Sequence, residues 1–251
     1  MMNQLFSFLS LLALYSTPFF TSHAQTTFVS DSAVYQQTIH NTVERYREHT
    51  GVQALIYQGK EFTDYRIIID GHQFFESDTW EEGWIRYDGL LYSAMQMKYD
   101  VVNAAVLVQH ELIAPAIKLE TEKISSFAIS GHNFIRMVKD SLHTEVPNTG
   151  FYDLLYTGKK VDLLAARKKT LQDAIEDRKV IYWFEEASRF YIRKEGVYYP
   201  VKNKKSVLKV FFDQKKALRK FIKKNKLKFR RQTEAAILNT VLYYDQLPPS
   251  P

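Results

Sequence analysis

The sequence predicts an α+β protein, built mainly as an antiparallel β-hairpin domain, with an N-terminal helix and a C-terminal basic helical module. Short runs rich in Ile, Val, Phe, Tyr and Trp extend from about residue 54 to residue 201, and turn residues separate them. On either side of this region, at residues 32–49 and from residue 206 onward, the hydrophobic period is helical. Nothing in the pattern has the strand–helix alternation that builds a parallel α/β sheet.

The first 24 residues have the character of an export signal. They contain no Asp, Glu, Lys or Arg, run apolar from Leu5 to Tyr15, and end in Ser22-His23-Ala24, with small residues where signal peptidase reads the chain. This pattern predicts a signal peptide over residues 1–24, cleaved near Ala24, and a periplasmic or secreted mature protein. A buried N-terminal helix is the alternative. The apolar run is shorter than the roughly 20 residues of a membrane span, so no transmembrane segment is expected.

The remaining chain divides by period into two parts. A β-rich domain is predicted over residues 25–201, led by the helix over residues 32–49, with a candidate internal break at 147–150. The helical module follows over residues 202–251. The chain contains no cysteine, which excludes disulfides and thiolate chemistry. An exported chain without cysteine is more typical of a bacterial envelope protein than of a small disulfide-stapled domain.

Five turn signals predict the hairpins of the β-rich domain. Each separates two apolar runs with residues that tolerate positive φ, and Asp-Gly between such runs is a strong hairpin signal. The five signals are Asp70-Gly71, Asp88-Gly89, Ser130-Gly131, Gly158 and Glu195-Gly196.

The C-terminal module shows three helical stretches. Ser206 is a candidate N-cap for one or two turns that reach Phe211. Asp213 is placed to cap a helix over residues 214–226, and Thr233 to cap one over residues 234–245.

Positive charge is concentrated in this module. Residues 202–231 hold 14 of the 34 Lys and Arg side chains and one acid, Asp213, a net charge of +13. The rest of the chain, with 20 basic and 27 acidic groups, is net negative.

Three interpretations of this charge remain open. The helices can present an ordinary solvated face against the acidic domain, or bind an anionic envelope surface such as lipid phosphate or acidic polysaccharide. Nucleic acid is the third and least favoured partner, because the export signal argues against it. The candidates for binding an anionic surface flank a narrow apolar stripe and are Lys215, Lys216, Arg219, Lys220, Lys223 and Lys224.

The sequence contains no catalytic, cofactor or metal signature. The histidines after residue 24 show no metal-ligand spacing, and no GxSxG or glycine-rich phosphate loop is present. His72 and His132, each after a turn glycine, are expected to begin hairpin strands. Asp100 has the position of a turn residue at a strand end. The tryptophans, which either fill a core or line a sugar or peptide site, are Trp80, Trp84 and Trp183.

Three stretches, Trp80–Tyr99, Gly150–Gly158 and Phe190–Phe229, resemble a set of uncharacterised exported proteins of Bacteroidota. The resemblance implies an envelope setting and a bacterial origin, and it carries no activity or site residues. The leading hypothesis is therefore a non-enzymatic binding or structural module at the periplasmic or outer-membrane surface. It would need no cofactor, and its partner would be anionic lipid, acidic polysaccharide or another envelope protein. The alternative is a hydrolase that acts on envelope glycan or peptide.

Overall fold

An eleven-stranded antiparallel sheet, followed by three α-helices, makes up most of the protein that the structure describes. The computed structural model describes residues 56–57, 59–65, 67–110, 113–140 and 146–248. The predicted signal peptide and the predicted helix over residues 32–49 lie outside these residues. The strands are β1 (Lys60–Glu61), β2 (Glu81–Tyr87), β3 (Leu90–Asp100), β4 (Ala105–His110), β5 (Ile113–Lys118), β6 (Ile124–Ile129), β7 (His132–Met137), β8 (Gly150–Thr157), β9 (Val161–Glu176), β10 (Lys179–Lys194) and β11 (Val197–Val201). The helices are α1 (Lys204–Val210), α2 (Lys215–Lys224) and α3 (Thr233–Gln246).

The strands follow the order β1-β5-β4-β3-β2-β6-β7-β8-β9-β10-β11. Most neighbours are consecutive in the chain, which confirms the predicted antiparallel hairpin architecture. Four of the predicted turns connect paired strands: Asp88-Gly89, Ser130-Gly131, the turn at Gly158, and Glu195-Gly196. Asp88 and Gly89 have φ of 50° and 78°, as the hairpin chemistry of Asp-Gly requires.

The hairpin predicted at Asp70-Gly71 is wrong. Asp70 forms a parallel bridge with Trp183 of β10, and Phe74 forms an antiparallel bridge with Asp100 of β3. The chain on either side of Gly71 therefore pairs with two distant strands and not with itself. Local turn chemistry cannot reveal such a partner, because these contacts are made across the sheet.

This bridging segment shows that the sheet curves. In sheet order β3 and β10 lie six places apart, which would be about 29 Å in a flat sheet. The four Cα–Cα steps from Asp70 to Phe74 span at most about 14 Å. The two strands must therefore approach each other, and the segment lies between them.

The longest hairpin was not predicted from the sequence. Strands β9 and β10 have 16 residues each and pair along their whole length, whereas the sequence indicated only short runs. Their turn is Asp177-Arg178, with φ of 46° and 64° and no glycine. The outer part of the hairpin is solvated, so its alternation of apolar and polar residues is weak.

The three helices form as expected, but their caps differ from the prediction. Asn203 caps α1, and the predicted cap Ser206 is the third helical residue, which completes a capping box with Asn203. The predicted cap of α2, Asp213, lies instead in a 3-10 turn (Phe212–Gln214), and its carboxylate bonds elsewhere. Gln214 is the residue before α2, and its side chain makes no capping hydrogen bond. Thr233 lies inside α3, where its hydroxyl donates to the Phe229 carbonyl at 2.8 Å.

Two main hydrophobic clusters hold the fold together. One fills the curved sheet with aromatic side chains, among them Phe127 stacked on Phe134 at 4.8 Å between ring centroids. The other lies between the helices and strands β9 to β11, where Phe211 stacks on Tyr244 at 3.9 Å. Burial of each such side chain contributes about 1.5–3 kcal/mol. The second cluster fixes the helical module on the sheet.

Candidate functional site

Helix α2 presents the predicted basic residues to solvent. Leu218 and Ile222 are buried, and Phe221 stacks on Tyr243 of α3 at 4.0 Å between ring centroids. These contacts determine which face of α2 points away from the sheet. All six predicted residues are exposed on the remaining surface: Lys215, Lys216, Arg219, Lys220, Lys223 and Lys224.

The structure divides these six residues into two groups. Lys215 and Arg219, one helical turn apart, face a cleft between α1 and α2 with a volume of about 820 Å³. The other four do not line this cleft. The other residues that line it are Lys204, Lys205, Leu208, Lys209 and Phe212. We call these seven lining residues the basic cleft.

The α1 residues and Phe212 were missed as site candidates from the sequence. The signal for the lysines was present, because they belong to the basic stretch 202–231. No sequence signal separates Phe212 from Phe211. The structure buries Phe211 completely and leaves Phe212 75% exposed.

The basic side chains of this surface have no acidic partner among the described residues. No carboxylate within the described ranges forms an ion pair with a basic side chain of residues 202–231. Like charges also stand four residues apart on α2, as in Lys215 with Arg219 and Lys216 with Lys220. Each such pair destabilises a helix by about 0.2–0.5 kcal/mol. Two lysines in the first turn of α2 oppose its dipole, while Lys223 and Lys224 in the last turn complement it.

Two carboxylates fasten the module to the sheet. Asp213 accepts hydrogen bonds from Lys194 of β10 at 3.0 Å and from the Tyr244 hydroxyl at 2.9 Å. Asp245 accepts from the backbone amides of Lys159 and Lys160 at 3.1 and 2.8 Å. Burial opposes ionisation of both groups, but these hydrogen bonds outweigh it and hold the pKa of each carboxyl below its usual value. The basic cleft therefore has a fixed position on the sheet.

A second cavity, of about 920 Å³, lies where the module meets the ends of β9 and β10. Its basic residues include Arg193 and Lys194, which pair with Asp162 and Asp213, both at 3.0 Å. Lys159 and Lys160 also line this cavity, but its three acids, Asp162, Glu195 and Asp213, nearly balance the four cations. The cavity therefore attracts anions less than the basic cleft, which has no acid in its lining.

A buried ionic cluster lies deeper, around Arg167. Its guanidinium binds Asp153 through Nε at 2.9 Å and reaches Glu234 of α3 at 2.6 Å. Asp153, only 1% exposed, also bonds to Nδ1 of His132 at 2.8 Å, and Glu76 lies 3.3 Å from Nε2. Burial disfavours the charged guanidinium, but the bonds to Glu234 and Asp153 raise the pKa of Arg167 overall.

This cluster bears on the hydrolase alternative. Histidine and aspartate are paired as in nucleophilic enzymes, but no hydroxyl among the described residues is hydrogen-bonded to His132. Two cavities adjoin Arg167, of about 170 and 400 Å³, and neither is lined by His132 or Asp153. The geometry is that of a structural tie between the sheet and α3.

The two described turn histidines differ in outcome. His132 begins β7, as predicted. His72 was expected to begin a hairpin strand and does not, because that hairpin is absent; its carbonyl accepts from the buried Lys169 ammonium at 3.1 Å. Burial, together with the charge of Lys169, lowers the pKa of His72. Within the described ranges, no group of His, Asp and Glu side chains could hold a metal ion.

The other sequence candidates have separate positions. Asp100 ends β3 and accepts from the Asn103 amide at 2.9 Å, which confirms the predicted turn role. Trp84 lies on β2 and Trp183 on β10, where Trp183 forms the bridge with Asp70. Trp80 stands beside β2 with the Lys98 ammonium 5.0 Å from its ring centroid.

No family model, curated protein or solved structure matches the chain. None of the helices in the described part of the chain is long and apolar enough to cross a membrane.

Proposed function

We propose that this is an exported, non-enzymatic envelope protein whose C-terminal helical module binds an anionic surface. The observation that carries the proposal is that no described carboxylate pairs with the basic side chains of α1 and α2. A merely solvated face usually mixes both signs, which stabilises helices through neighbouring pairs. These helices instead contain like-charge neighbours whose repulsion an anionic partner would relieve.

Export is proposed from the uncharged apolar start of the chain and the Ser22-His23-Ala24 ending. It places the module among envelope lipids and polysaccharides and away from cytoplasmic nucleic acid. N-terminal sequencing of the protein recovered from the periplasm or medium is expected to begin at Gln25. Recovery from the cytoplasm with Met1 intact would contradict the export proposal.

Binding should be electrostatic and sensitive to salt. Lysines near an anionic membrane contribute about 1 kcal/mol each at low ionic strength. The Debye length falls from about 10 Å at 0.1 M salt to about 3 Å at 1 M, so binding should weaken steeply over this range. Cosedimentation with anionic vesicles at several salt concentrations measures this dependence.

The decisive variant changes Lys216, Lys220 and Lys223 together to Gln. All three side chains are exposed and lie outside the buried stripe of α2, so the fold should be unchanged. Loss of three charges should weaken vesicle binding by about 3 kcal/mol, or about a hundredfold.

A matched control removes the same charge from the sheet. Lys60, Lys168 and Lys179 are exposed on β1, β9 and β10, and the triple change to Gln should leave binding close to wild type. Equal loss in both variants would show that overall charge, and not the module, determines binding. Failure of the wild type to bind any anionic probe at low salt would refute the proposal.

A further inference from the structure

We propose that the partner of the basic cleft is an anionic phospholipid bilayer, into which the exposed ring of Phe212 inserts. This inference rests on the proposed function and specifies both the ligand class and the docking face. The cleft contacts lipid phosphates through its Lys and Arg side chains, while Phe212 enters the region of the acyl chains.

The position of Phe212 is the first supporting observation. It is 75% exposed, although its neighbour Phe211 is fully buried against Tyr244. On its other side, Asp213 is bonded to Lys194 and Tyr244. The backbone on both sides of Phe212 is therefore anchored, so the ring is held outward and cannot fold back into the core.

The surroundings of the ring are the second observation. Lys209 and Lys215 line the same cleft as Phe212, together with Leu208 at its base. On its other side the ring lines the second cavity, where the Lys194 ammonium, paired with Asp213, lies 5.9 Å from the ring centroid. An exposed aromatic ring with cations on both sides matches the two layers of a bilayer interface, phosphate outside and hydrocarbon inside. A soluble polyanion would use the cations but gains little from an inserted ring.

The charge distribution makes the orientation specific. Lys215 and Arg219 face the cleft, while Lys216 and Lys220 lie farther around α2. With Phe212 pointing into the membrane, Lys215 and Arg219 lie in the headgroup layer. Lys216 and Lys220 remain within the electrostatic field of the headgroups. The tip of the long hairpin, at Ile175, lies at the opposite end of β9 from the residues that pack on the module.

The first experiment compares two kinds of probe. Phe212→Ala should bind vesicles of phosphatidylglycerol and phosphatidylcholine at least about tenfold more weakly than wild type, since insertion of the ring is lost. The same variant should bind heparin, a soluble polyanion, as wild type does. Because Phe212 is exposed, thermal unfolding of the variant should match wild type, which separates lost insertion from lost folding.

The second experiment locates the inserted residue. Phe212→Trp keeps a large aromatic ring, and its emission above the wild-type background should be quenched by phospholipids brominated on the acyl chain. Ile175→Trp, at a position that is 77% exposed on the hairpin tip, is the matched control and should not be quenched. Quenching at position 175 and not at 212 would overturn the proposed docking face.

The outcomes also separate this inference from the broader function. If Phe212→Ala binds vesicles as wild type does while the triple lysine variant does not, anionic binding stands and insertion is refuted. If the wild-type protein binds heparin but not the vesicles, the lipid source is refuted and a soluble polyanion is favoured. If it binds neither probe at low salt, both proposals fail.

Discussion

Replacing Arg167 with Met should strongly destabilise the protein. The Arg167 side chain is 12% exposed and binds Asp153, which is 1% exposed, together with Glu234 of α3. Methionine retains an unbranched apolar stem but leaves the Asp153 carboxylate buried without its main counter-ion. Loss of one partner from a buried ion pair costs about 3–5 kcal/mol.

The structure places the effect near the lower end of this range. His132 remains 2.8 Å from Asp153 and can still donate to it, and Glu234, 37% exposed, can regain water. A loss of about 3 kcal/mol corresponds to a fall in Tm of about 6–12 °C for a chain of this size. Urea unfolding followed by circular dichroism, with equal m-values for both proteins, measures the change in free energy.

Two further variants make the test strict. Lys168→Met alters the adjacent, exposed residue on the other face of β9 and should change stability by about 0.5 kcal/mol or less. Adding Asp153→Asn to Arg167→Met removes the stranded charge, so the double variant should be more stable than the sum of the single changes predicts. An Arg167→Met protein as stable as Lys168→Met would refute the assignment of a structural ion pair.

Two other predictions concern the junctions of the fold. Asp245→Asn should lower stability at neutral pH by about 1 kcal/mol, because a charged acceptor for two backbone amides is lost. The pKa of Asp245 is lowered from an ordinary value of 3.8, so its stabilisation is complete above that value and is lost as the pH falls through the folded-state pKa. In the acid range the free energy of unfolding should therefore change less with pH for the variant than for wild type. Parallel curves of this free energy against pH would contradict the prediction. Gly89→Val should cost about 1 kcal/mol or more, because φ is +78° there, and thermal unfolding equal to wild type would show that the turn imposes no such constraint.

The parts of the fold that were predictable are those encoded by neighbouring residues. The turns at Asp88-Gly89 and Ser130-Gly131 were found because positive φ is a property of the turn residues themselves. The exposure of Lys216 and Lys220 followed from the spacing of Leu218 and Ile222, which is helical geometry alone.

The helix caps show that tertiary contacts can override local sequence preferences. Asp213 is a good N-cap residue by type, yet its carboxylate bonds to Lys194 and Tyr244 and leaves the start of α2 uncapped. Thr233 likewise satisfies the Phe229 carbonyl. In both cases the sequence showed a suitable side chain but not the competing partner, which comes from another element or from the preceding turn.

The sequence by itself determined four of the antiparallel hairpins and the concentration of basic residues in one helical module, because turn preference, period and charge are properties of short stretches of chain. Only the tertiary structure decided that Asp70 and Phe74 connect distant strands of a curved sheet, that Arg167 joins Asp153 to α3, and that Phe211 is buried while Phe212 is exposed. Each of these outcomes depends on which surfaces meet when the sheet bends and the helices pack on it. Side chains of the same type therefore differ in burial and in their contribution to stability, because different residues contact them.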